Sequence, residues 1–102
     1  MIEVKANARV IVLHEKDNVA TALEDLPEGE IIFIVDRNLY ITLKNEIKFG
    51  HKFSLKDTPE GESIYKYGVP IGRLTNRVQI GEHVHLHNLV TLQRKGDSHE
   101  RV

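Results

Sequence analysis

The sequence predicts an all-β domain carrying one short helix. Apolar residues recur in short runs rich in β-branched and aromatic side chains, each strand-sized rather than helix-sized. Glycines fall between the later runs, at Gly50, Gly61, Gly68, Gly72 and Gly81, where turns need them. A chain of 102 residues is long enough for one modest core and too short for a second, separate catalytic domain.

Taken in order, Arg9 to Leu13 contains Val10-Ile11-Val12-Leu13, a β-branched run expected as a buried strand. Asp17-Asn18 offers an N-cap, and Val19, Ala22, Leu23 and Leu26 follow at i, i+3, i+4 and i+7. That spacing predicts a short helix over Val19 to Leu26, stopped by Pro27-Glu28-Gly29. Ile31 to Val35 and Leu39 to Leu43 flank the polar Asp36-Arg37-Asn38 and predict a hairpin. Further strands are expected at Phe53 to Leu55, Ile64 to Tyr67, Val69 to Leu74, Val78 to Ile80, His83 to His87 and Leu89 to Leu92. The domain is expected over 1–92, with 93–102 a polar C-terminal tail.

One turn shape returns three times. Asp25-Leu-Pro-Glu-Gly29-Glu, Asp57-Thr-Pro-Glu-Gly61-Glu and Arg77-Val-Gln-Ile-Gly81-Glu each place a glycine able to take positive φ before a glutamate and a strand. The spacing is irregular, so the echo predicts a reused turn rather than a solenoid.

Composition removes several function classes. A formal charge of −1 leaves no basic footprint for nucleic acid or anionic membrane. The longest apolar run, Ile31 to Val35, is far short of a membrane span. Zero cysteines exclude disulfides, thiolate metal sites and cysteine nucleophiles. The N-terminus shows no secretory signal, so a cytoplasmic location is expected.

Three clusters carry possible chemistry. Three of the six histidines, His83, His85 and His87, alternate with Val84 and Leu86. On a strand they share the face opposite those two, ~6.6–6.8 Å apart along it, where neighbours can bind one metal ion or act as an acid–base pair. A solvated strand face is the competing reading. Asn88 follows at the strand end, where loops bring residues to ligands. The second cluster, Gly50-His51-Lys52-Phe53, sets a cation for an anionic substrate beside a glycine that allows close approach, although water-facing lysines are ordinary. The third, Tyr65 to Arg73, holds two glycines and Pro70, and reads as a bend or bulge in a sheet. A cupin metal motif also uses His-x-His on a strand, but it requires a following glutamate and a later histidine strand that this sequence does not supply.

Taken together, Gly50-His51-Lys52-Phe53, Lys66-Tyr67-Gly68, Ile71-Gly72, Gly81-Glu82-His83-Val84-His85 and His87-Asn88 resemble, over Ala8 to Leu92, the N-terminal domain of altronate and galactarate dehydratases. That domain is of the SAF (antifreeze-like) type with a β-clip fold. The resemblance implies β-elimination from a sugar acid, assisted by ferrous iron or another divalent metal held mainly by a partner subunit. Related enzymes expel sulfite from sulfolactate, some as small and large subunits. Catalytic candidates are then His85, His87 and His51. Substrate-binding candidates are Lys52, Lys66 and Asn88, and metal candidates are His83, His85 and His87. The large C-terminal domain of the one-chain enzymes is missing, so a large catalytic subunit is the expected partner beside the sugar acid. A homo-oligomer stays open. The alternative is a non-catalytic β-clip module recognising a carbohydrate or a protein.

Overall fold

The structure, a computed structural model, describes residues 9–92; the expected tail at 93–102 lies outside them. Nine strands follow in order: β1 Val10–Ile11, β2 Val19–Ala22, β3 Ile31–Ile34, β4 Leu39–Thr42, β5 Lys52–Ser54, β6 Ser63–Lys66, β7 Val69–Leu74, β8 His83–Val84 and β9 Leu89–Thr91. The helical content among these residues is one 3-10 turn, Val35–Arg37. The all-β class is therefore correct.

The chain forms three antiparallel layers. A central sheet runs β1-β2-β5-β8, with the β3–β4 hairpin on one side and a β6-β7-β9 sheet on the other. Register explains how one sheet serves two cores. Ala20 pairs with Phe53, and Phe53 with His83, so these side chains share a face. Ala20, Ala22, Phe53 and Leu55 pack there against Ile32, Ile34, Ile41 and Leu43 of the hairpin layer. On the opposite face Val19 and Val84 join Ile64, Leu74 and Leu89 of the third layer.

The expected helix over Val19 to Leu26 is absent. Val19–Ala22 is a strand paired on both edges, to β1 and to β5, and Leu26 makes one bridge to Ile47. A two-turn helix is marginal alone, whereas this segment is buried on both faces, where alanines allow close layers. Asp17 and Asn18 do not cap a helix. The Asp17 carboxylate accepts the N–H groups of Tyr67 and Gly68, and Asn18 bonds Ser63 and Tyr65. The expected hairpin formed as β3–β4. The β6–β7 turn has positive φ at both Tyr67 (59°) and Gly68 (78°), and β6 carries a register shift between Ile64 and Tyr65.

The recurrent turn occurs four times, not three. Gly29, Gly50, Gly61 and Gly81 all take φ between 83° and 90°, and their N–H groups donate to Leu43, Ala22, Leu74 and Ser54 carbonyls. Two bridges tie the turns in pairs, Leu26 with Ile47 and Thr58 with Val78. Val78 to Ile80 is thus a bridge and turn rather than the expected strand. The fourth copy is Ile47-Lys-Phe-Gly50-His51, with histidine where the others have glutamate.

Candidate functional site

The histidine strand is shorter than expected. It ends at Val84, and residues 85–88 turn, with the Asn88 N–H donating to the His85 carbonyl. The three histidines therefore do not share one strand face opposite Val84 and Leu86. Val84 is buried, but Leu86 is 63% exposed. Asn88 holds the turn closed. Its Oδ1 accepts the His85 N–H and its Nδ2 donates to the His83 carbonyl, so this buried amide is engaged by the backbone.

The turn brings His85 onto His51. Their ring centroids are 4.2 Å apart and the rings nearly parallel, while His51 Nδ1 lies 3.0 Å from His83 Nε2. His51 reaches this place because its glycine turn delivers it to the start of β5, beside β8. One ring nitrogen from each of His51, His83 and His85 lies within 4.8 Å of the other two. His87 is outside that group; it is exposed, with its ring 5.1 Å from that of His83.

The cluster suits a divalent cation on three counts. Two nitrogens bound ~2.0–2.1 Å from one ion stand at most ~4.2 Å apart, so small ring rotations suffice. His85 Nδ1 is buried with no hydrogen-bond partner, a polar atom without its usual compensation. Burial, then the neighbouring charges of His87, His51, His85 and Lys52, pushes the His83 imidazole down to about 4. His85 is lowered by burial first and then by His51, Lys52 and His87. Both are neutral near pH 7, the form that ligates metals.

Lys52 is only 2% exposed. It pairs with Val84 in register and so projects from the face opposite Phe53 and His83. Burial, reinforced by the Lys66 charge, lowers its ammonium to about 8. Lys66 sits half-buried at the end of β6, its Nζ 5.4 Å from the Tyr67 ring centroid. The two lysines thus act on each other as like charges. A separate pocket is lined by Val12, Leu13, His14, Glu15, Asp36 and Arg37 and contains none of these residues.

What the sequence missed is the partnership of His51 with His83 and His85. Its signal was the fourth glycine turn, disguised because His51 replaces the glutamate.

Layered β architecture carrying a cluster of three histidines defines this small β domain. Residues 8–92 match the altronate/galactarate dehydratase SAF domain, and the chain belongs to that family. It is 43% identical over 81 residues to the altronate dehydratase of Bacillus subtilis, covering 79% of this chain and 16% of that one. The altronate dehydratase of Escherichia coli gives the same identity and coverage. Against the (2R)-sulfolactate sulfo-lyase subunit alpha of Chromohalobacter salexigens it is 35% identical over 86 residues, covering 78% of this chain and 92% of that one. The chain therefore spans about a sixth of the altronate dehydratases and nearly all of the sulfo-lyase subunit. Among the described residues no helix is long and apolar enough to cross a membrane.

Proposed function

We propose that this chain is the small part of a two-part lyase that performs β-elimination on a 2-hydroxy acid, either a sugar acid or sulfolactate, and that it turns over only beside a large catalytic chain. The observation that carries the reading is the convergence of His51, His83 and His85 around the unpartnered His85 Nδ1. These three would hold ferrous iron or another divalent ion, with His51 in the place the strand pattern assigned to His87. When bound, the ion supplies Lewis acidity toward the departing group.

The remaining residues divide the other tasks. The charge of Lys52, buried on the other face of the sheet yet acting on His83 and His85, and that of the half-buried Lys66 favour the substrate carboxylate, with the acidic C–H next to it turned toward the imidazoles. His87, exposed and stacked on His83, takes that proton. The C–H electron pair becomes the carbon–carbon double bond as the neighbouring C–O or C–S bond breaks. The departing group leaves as water, after gaining a proton, or as sulfite. Asn88 positions His83 and His85 through their backbones. An exposed His87 beside an exposed Leu86 leaves the site open on one side, so a second chain is needed to exclude water.

The test has two arms. Anaerobic titration of the chelator-treated chain with Co²⁺ is expected to give visible ligand-field absorption at one ion per chain. His51→Ala, His83→Ala and His85→Ala lose it, and His87→Ala keeps it. In steady-state assays of the chain reconstituted with its large partner, His87→Ala is expected to lower the rate by on the order of 10²–10⁴-fold, and Lys52→Ala to lower it as well. No cobalt spectrum, with full turnover in all these variants, assigns the chemistry to the partner and makes this chain a cap.

A further inference from the structure

The β3–β4 hairpin buries one face only. Ile32, Ile34 and Ile41 point into the core, and register places Ile31 opposite Thr42 and Phe33 opposite Tyr40 on the outer face. That outer face carries no charge. Ile31 is 63% and Tyr40 71% exposed, Phe33 packs against Tyr40 with rings tilted by 42° and centroids 4.7 Å apart, and Val35 continues the strip past the strand end. A half-solvated antiparallel sheet normally alternates apolar-in with polar-out, and this one does not. The third layer differs, because its exposed Val90 sits opposite Arg73.

We propose that this face is the docking surface for the large lyase chain, a proposal that rests on the two-part reading above. Two observations select that occupant. The matching segment is 16% of each altronate dehydratase, so there it is joined in one chain to a remainder several times its size, and the sulfo-lyase relative is itself named a subunit. The strip also runs up to the histidines. Beyond Thr42, Lys44 N–H donates to the Gly81 carbonyl, and Asn45 Oδ1 accepts the His83 N–H. A chain seated on Ile31, Phe33 and Tyr40 therefore lies on the layer whose next residues, Lys44 and Asn45, hold the backbone of Gly81 and His83. Aromatic and aliphatic anchors without charge are what the centre of an interface requires, with the site's polar surroundings as its rim.

The experiment isolates the tagged chain from its own cell with its companion, confirms by sequencing that the companion resembles the remainder of an altronate dehydratase, and measures affinity in the purified pair by calorimetry. Tyr40→Asp and Ile31→Asp are exposed enough to leave the fold intact, checked by circular dichroism and melting, and each is expected to weaken association by at least about 30-fold. Val90→Asp, equally exposed on the other layer, is expected to bind as wild type. Unchanged affinity in both hairpin variants overturns the proposal. So does equal loss in Val90→Asp, or self-association of the chain alone that the hairpin variants abolish, which would assign the face to a second copy. A pair that assembles through the hairpin yet eliminates neither water nor sulfite refutes the lyase reading and leaves the docking surface standing. Absence of any such companion overturns both.

Discussion

Gly81→Ala tests how the histidine strand is anchored to the hairpin layer. Gly81 takes φ +86°, and a Cβ there would lie 2.3 Å from the Thr42 carbonyl oxygen and 3.2 Å from Ile41 Cγ2. Gly29 is its control, with φ +87° in the same recurrent turn and nothing within 4 Å of an added methyl. Both substitutions incur the left-handed backbone penalty, about 1–2 kcal/mol. Only Gly81→Ala must also push a backbone carbonyl away, and overpacking of that kind costs typically ~1–3 kcal/mol more. Gly29→Ala is therefore expected to destabilise by about 1–2 kcal/mol and Gly81→Ala by about 2–5 kcal/mol. Urea unfolding followed by circular dichroism measures both, with the slope checked for two-state behaviour. Because Lys44 N–H donates to the Gly81 carbonyl, the same substitution is expected to displace the His83 region, read as a weakened cobalt spectrum. If Gly81→Ala proves no more costly than Gly29→Ala, the close approach of these layers is wrong, and with it the route from hairpin to site.

Asp17→Ala removes the acceptor for Tyr67 and Gly68 N–H groups at a 2% exposed carboxylate, and should cost about 2–3 kcal/mol in thermal melts; a loss under about 0.5 kcal/mol would mean water replaces it. Lys52→Met is expected to stabilise the isolated, chelator-treated chain at pH 7 while weakening substrate binding in the reconstituted pair. The folded ammonium titrates at about 8 against 10.5 unfolded, so between those values the unfolded chain binds more protons and wild-type stability rises with pH. The gain on going from pH 7 to above 10.5, on the order of 3 kcal/mol, should be absent from Lys52→Met. Urea unfolding at pH 7 and pH 10.5 checks the difference, and parallel pH profiles of the two proteins would refute the buried charge.

Much of the architecture was legible because strand signals are local. Ile31 to Val35 and Leu39 to Leu43 are β-branched and aromatic runs about a polar turn, and the hairpin follows from that pattern. Val69 to Leu74 and Leu89 to Leu92 were similarly readable. Val19 to Leu26 misled because i, i+3, i+4, i+7 spacing also fits a strand buried on both faces, where every position is apolar or small. Local spacing cannot register burial by two separate layers. The site divides along the same line. The residue types, imidazoles near lysines, were present in the sequence. Which imidazoles meet was decided by the pairing of β5 with β8, across more than thirty residues of chain, and by the Asn88 turn that lifts His85 off the strand. Local chemistry thus determined the strands, the glycine turns and the candidate groups. Only tertiary pairing chose His51 over His87 as the third member, because distance between side chains depends on register between strands and not on their separation in sequence.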